Sequence, residues 1–262
     1  MRIKLLNKAE CLRELQRVDA FVLCINEYTL KNFLKKPSVN EYIKSLSEAP
    51  LEMSQLQKDC IEKASLRVKA IWDELKLPDM AVGFAVTNGK DMGMTGLPYT
   101  RHSTIFFPTQ LLSREYMESD DFVQLIAHEC FHIMSRNRPK LKNDMYKFFG
   151  FRLNEDIDIG IVNPDCPMNN YSIEIDGKEY VPYLEMPTSS SLSEHTMLYC
   201  LADKTSVKAK ATKIFDMIGK TTQYLIHPEE ICADFFMNLF VENSWIDKEK
   251  VLLFKQELIK CL

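Results

Sequence analysis

An α+β fold, mostly helical with a small mixed sheet and a β-hairpin insert, follows from three features of the sequence. Apolar residues recur at helical spacing toward both ends, and short β-branched and aromatic runs bounded by turn residues fill the middle. An alternating segment near residue 175 is split by Asp176-Gly177, a two-residue hairpin turn. With 262 residues and 46% hydrophobic content, the chain has enough apolar surface for a substantial core. The expected division is a helical N-terminal extension over residues 1–50 and one main domain over 51–262.

Taken in order, residues 1–50 carry two modest helices, broken near Lys36-Pro37 and Ala49-Pro50. A long helix is expected from Leu51 to about Leu77. Leu56, Cys60, Ala64, Val68, Ile71 and Leu75 form its apolar stripe, and Pro78 ends it. Ala81–Thr87 is a strand, Asn88-Gly89 a turn, and Ser103–Phe107 a second strand ending at Pro108. This 103–107 strand is the candidate edge to which an extended peptide adds through main-chain hydrogen bonds, with a buried inner strand as the equal alternative. Asn163-Pro164-Asp165-Cys166-Pro167 is a rigid turn cluster, and Tyr171–Ile175 with Lys178–Leu184 makes the hairpin. Thr188-Ser189-Ser190-Ser191 is a solvated linker or a lid. Helices are expected to resume near Glu194 and run to the end, the last marked by Val251, Leu252, Phe254, Leu258 and Ile259.

The chemistry concentrates in His128-Glu129-Cys130-Phe131-His132. On a helix, histidines four apart point to one side, so both imidazoles reach a single tetrahedral Zn²⁺. Glu129 lies beside the first ligand, placed to accept a proton from water rather than to bind metal. The flanks supply the helix. Ser119-Asp120-Asp121 offers an N-cap and acidic first turn, Phe122, Leu125, Ile126 and Ile133 recur at helical spacing, and Arg136, Arg138 and Pro139 close it. With only five histidines in the chain, a pair at ligand spacing is seldom accidental.

Two histidines call for a third protein ligand and one position left for water. His227-Pro228-Glu229-Glu230-Ile231-Cys232-Ala233-Asp234 begins a second helix, with proline at its first position and acids at its positive end. Glu230 and Asp234 share a face, so one can ligate while the other holds the outer nitrogen of a ligand histidine, and Ala233 permits close approach to the first helix. Glu229 is the rival ligand, although its four-apart partner is Ala233, which orients nothing. An ordinary helix start with dipole-compensating acids is the bland alternative.

H-E-x-x-H followed far downstream by E-x-x-A-D resembles the gluzincin zinc metallopeptidases. The spelling Glu230-Ile231-Cys232-Ala233-Asp234 is most similar to the HtpX-type branch, here without its membrane helices. The resemblance covers two short segments. It implies a zincin-like peptidase domain in which His128, His132 and Glu230 ligate zinc, Glu129 is the general base and Asp234 supports a ligand histidine. The expected activity is that of a zinc-dependent endopeptidase hydrolysing a protein or peptide substrate with metal-activated water. For stabilising the oxyanion, His227 is the first choice, a helix N-cap being the stronger alternative role for it, and Tyr99, Tyr199 and Tyr224 are the other candidates, each with core packing as its alternative. Arg101 is either solvated or a binder of a substrate carboxylate. His102 and His195 have no partner at ligand spacing and are expected to be non-ligands.

The net charge of −4 with interspersed signs and no basic stripe excludes a nucleic-acid partner, and no apolar run suits a membrane span. The first residues turn charged too soon for a signal peptide. Eight cysteines without C-x-x-C spacing point to buried, reduced thiols and a cytoplasmic location, export without an N-terminal signal being the alternative. A non-enzymatic effector with a vestigial site is opposed by Glu129, which a structural site does not need. A metal-dependent aminopeptidase would call for further acidic residues ahead of His128.

Overall fold

The computed structural model describes residues 1–92, 96–154, 162–167, 170–175, 177–185, 196–201, 217–219, 221–222, 227–241 and 246–262, with only the backbone for 182–185 and 196–201. It is mixed α and β, as an α+β reading requires. Two compact units form, Met1–Asn137 with Gly160–Met168 and Arg138–Ile159 with Asn169–Leu262.

The first unit is built on a five-stranded sheet of β1 (Arg2–Leu5), β2 (Pro50–Leu51), β3 (Ala81–Thr87), β4 (Tyr99–Arg101) and β5 (Thr104–Pro108), in the order β1-β3-β5-β4 with β2 also on β3. β1 and β5 run parallel to β3, whereas β2 is antiparallel to β3 and β4 to β5. β3 and β5 are buried on both faces almost throughout, which is why they are continuous apolar runs rather than alternating ones. The expected edge at 103–107 is therefore corrected: β5 is an inner strand between β3 and β4. The strand beyond it at that end of the sheet, β4, has three residues, too few to show a period.

The opening of the chain also departs from expectation. Instead of starting a helical leader, Arg2–Leu5 pairs along β3 from Arg2↔Ala81 to Leu5↔Phe84. Helices follow: α1 (Lys8–Gln16), with a capping box between Asn7 and Glu10, α2 (Ala20–Cys24), α3 (Glu27–Thr29), a π-helical turn at Leu30–Leu34 and α4 (Val39–Ser45). Their inner residues Cys11, Leu15, Phe21, Val22, Leu34 and Tyr42 join Ala85, Tyr99 and Phe106 of the sheet in one cluster. The long helix α5 (Gln55–Glu74) starts at a Ser54–Gln57 capping box and buries Cys60, Ala64 and Val68 of the expected stripe together with Ile61 and Trp72, whereas Leu56 is exposed and Ile71 and Leu75 are only partly covered, so the buried face is rotated from the one expected. After α6 (Arg114–Met117), α7 (Asp120–Asn137) carries the histidine motif.

Arg101 corrects another expectation, for it is fully buried rather than solvated. Its Nε donates to Asp19 Oδ2 at 2.8 Å, Nη1 to the carbonyl of Leu15 at 2.6 Å and Nη2 to that of Arg17, while the guanidinium lies 5.8 Å over the Phe21 ring. It thus fastens the segment between α1 and α2 to the sheet. Burial alone would raise the Asp19 carboxyl, but the hydrogen bond and charge of Arg101 and the backbone N–H of Val22 hold it below its usual value. Stability from this lowered group is present above about pH 4 and is lost as pH falls through its folded value. Arg101→Ala leaves Asp19 without its cation, and a loss of about 3–5 kcal/mol is expected in urea unfolding. An unchanged unfolding midpoint would remove Arg101 from this role.

The second unit holds α8 (Pro139–Phe148), a four-stranded antiparallel sheet, α9 (Pro228–Met237) and α10 (Lys248–Cys261). The strands are β6 (Phe151–Leu153), β7 (Tyr171–Ile175), β8 (Lys178–Glu185) and β9 (Thr196–Leu201). β7 and β8 form the expected hairpin, with Ile175 opposite Lys178 and Gly177 at φ +72°, a left-handed turn position that suits glycine. β9 replaces the helix expected from Glu194, pairing from Tyr180↔Leu201 to Glu185↔Thr196. Periodicity does not separate a short apolar strand from a helical segment, and this run was too short to decide. The 188–191 linker or lid lies outside the described residues. Phe149 stacks on Phe254, and Phe235 packs at a tilt against both, in the core between α9, α10 and the end of α8. No helix among the described residues is long and apolar enough to cross a membrane.

Candidate metal centre

Helix α7 begins as its sequence requires. The Ser119 hydroxyl accepts the Phe122 N–H at 3.4 Å, and Asp120 pairs with Arg67 of α5 at 2.7 Å. Phe122, Ile126, Cys130 and Ile133 are fully buried and fix the rotation of the helix. That rotation brings the rings of His128 and His132 side by side, with centroids 4.7 Å apart and planes at 83°. His128 is half-buried, whereas His132 and Glu129 are 1% and 3% exposed, so the polar stripe sits against protein and not open water. Burial, and to a lesser degree the Glu129 charge, pushes the Cys130 thiol well up, so it remains a neutral packing group beside Met1 Sδ at 3.9 Å.

Asp165 is the residue that sequence reasoning missed. One ligand atom each from Glu129, His132 and Asp165 lies within 4.8 Å of the other two. The turn cluster that carries Asp165 is held firmly. Asp165 Oδ1 accepts both the backbone N–H and the hydroxyl of Thr100 at 2.6 Å, and its own N–H donates to Asn163 Oδ1 at 2.9 Å. Arg136, one turn beyond His132, binds the Thr100 hydroxyl at 2.8 Å and the His102 carbonyl at 2.8 Å, with longer contacts to the carbonyls of Thr100, Pro164 and Asp165. Asn163-Pro164-Asp165 signalled a rigid turn, but nothing in the sequence marked the strand against which that turn docks.

In the second unit, α9 places Glu230 and Asp234 one turn apart, each 8% exposed. Asp234 Oδ2 accepts a short hydrogen bond from the Thr222 hydroxyl. Glu229 faces a different group, because the Tyr146 hydroxyl of α8 donates a short hydrogen bond to its Oε2. The rival ligand is thus engaged in packing α8 against α9. His227 is the N-cap: its Nδ1 accepts the Glu229 N–H at 3.0 Å, and its ring lies edge-on to Tyr146 and Tyr171. With Nδ1 accepting, the proton of the neutral ring resides on Nε2.

Other candidates are placed elsewhere. Tyr99 is buried, stacks on Phe106 and donates a short hydrogen bond to Asp91, so it belongs to the core. His102, at φ +52°, lies 3.6 Å from Asp19. Tyr224 and His195 lie outside the described residues, and Tyr199 is described only by its backbone on β9. Cys11, Cys24, Cys60, Cys130, Cys232 and Cys261 are free thiols. Comparison with protein-family models, curated proteins and solved structures gives no match to this chain.

Proposed function

We propose that the chain is a zinc-dependent endopeptidase of gluzincin type with a zincin-like domain, in which His128, His132 and Glu230 hold one Zn²⁺. The observation that carries this reading is the pair of adjacent imidazoles on α7 with buried Glu129 beside them. Two imidazoles and one carboxylate are the donor set of catalytic zinc, which keeps a fourth position for water or substrate. The engagement of Glu229 by Tyr146 supports Glu230 as the carboxylate.

Bound zinc would supply Lewis acidity, lowering the pKa of water and polarising the scissile carbonyl. The remaining work falls to the chain. Glu129 takes the proton from the attacking water on a carboxylate oxygen and hands it to the nitrogen of the leaving amine. Its burial strengthens the field it exerts on the reacting atoms. His227, its Nδ1 committed to the helix cap, offers Nε2–H to the carbonyl oxygen as negative charge develops there. Asp234, held by Thr222, supports a ligand histidine. The substrate is a protein or peptide, and the free thiols favour a reducing compartment, the cytoplasm.

Purified protein is expected to contain one zinc per chain by elemental analysis, retained through gel filtration. Protein that takes up no zinc after metal is added back would sink the proposal. Activity itself is tested by comparing newly formed termini in a proteome treated with wild type and with Glu129→Gln.

A further inference from the structure

We infer that Asp165 is a positioning residue for His132, its carboxylate accepting the imidazole N–H that does not face the metal. The inference rests on the zinc reading above and adds a residue to it. A histidine that binds zinc through one nitrogen usually donates its other N–H to a carboxylate, carbonyl or water, which fixes the ring and raises its basicity. Asp165 and His132 have ligand atoms within 4.8 Å of each other, inside the first unit. The ring planes of His128 and His132 stand 83° apart, and each ligand imidazole calls for an acceptor of its own to hold its outer N–H.

The surroundings of Asp165 suit a fixed acceptor better than a metal ligand. Two donors from Thr100 converge on Oδ1, which fixes the direction of the carboxylate beside His132. The Asn163 side chain closes the turn around the Asp165 N–H, and Arg136 draws the Asp165 carbonyl toward α7 at 3.3 Å. Arg136 and His132 are four residues apart on one helix, so the clamp and the histidine it serves share a face. The carboxylate is thus set by β4 and by α7 itself before any metal arrives.

The test is zinc affinity of the full chain, by competition with a chromogenic chelator, alongside thermal melting of the metal-free protein. Asp165→Asn can still accept both Thr100 donors with its amide oxygen, but presents an NH₂ where His132 needs an acceptor. The metal-free variant should melt as wild type does, with zinc bound about 10–100-fold more weakly. Asp165→Ala should weaken zinc at least as much and also melt earlier, since Thr100 loses its acceptor. Wild-type affinity in Asp165→Asn overturns the inference. So does an affinity loss matched by a fall in metal-free melting, which assigns Asp165 to the strand alone. Complete zinc loss in Asp165→Asn, equal to that of His132→Ala, makes Asp165 a ligand and overturns it as well. Failure of the zinc reading looks different: wild type then binds no zinc, or His128→Ala and His132→Ala bind as well as it does.

Discussion

Glu129→Gln is expected to fold, to bind zinc as wild type does and to lose peptide hydrolysis by about 10²–10⁴-fold, the range contributed by a positioned general base. Glutamine preserves the volume of a side chain only 3% exposed, so the packing of α7 has no reason to change. What it cannot do is take a proton at the oxygen where the carboxylate would. The zinc content of the variant and its far-ultraviolet spectrum separate a chemical loss from a structural one. A variant that cleaves a verified substrate as fast as wild type rules out Glu129 as base, and an inactive variant without zinc would mean that Glu129 acts on the metal instead.

Removal of a single ligand should have the other large effect. His128→Ala, His132→Ala and Glu230→Ala are each expected to lose tight zinc binding and all activity, because two remaining donors do not hold the ion against exchange. Asp234→Ala should keep zinc about 10–100-fold more weakly. Glu229→Ala should keep it at wild-type affinity yet lose stability by about 1–3 kcal/mol, since the buried Tyr146 hydroxyl is left without its acceptor. Chelator competition and urea unfolding on the same preparations give both readings. If Glu229→Ala lost the metal and Glu230→Ala kept it, the start of α9 would be rotated by about 100° from the assignment made here.

Much of this was legible in the residues because the signals were local. Ser119 and the spacing of Phe122, Ile126 and Ile133 specify α7, and the four-residue interval between His128 and His132 puts both on one face. His227-Pro228-Glu229-Glu230 announced the start of α9 through its cap and its proline. Contacts between distant segments left no such trace. Arg101 looks like any solvated arginine until Asp19 is folded over it from 82 residues away, and Asp165 looks like a turn until Thr100 meets it from 65 residues away. Strand β1 was hidden for another reason: Arg2 and Lys4 alternate with Ile3 and Leu5 over only four residues, too short a run to outweigh the helix that follows.

Strand β4, at one end of the sheet of the first unit, has one further consequence. An exposed strand edge is a template on which other chains grow into extended sheets. Antiparallel alternation turns Tyr99 and Arg101 toward β5 and leaves Thr100 as the one residue of β4 whose amide and carbonyl point outward. Asp165 takes that amide and Arg136 approaches that carbonyl, so the outward groups of this short edge are already spoken for. The same turn that aims a carboxylate at His132 therefore also guards the molecule against self-association. A change that frees it should show first as clumping of otherwise folded protein.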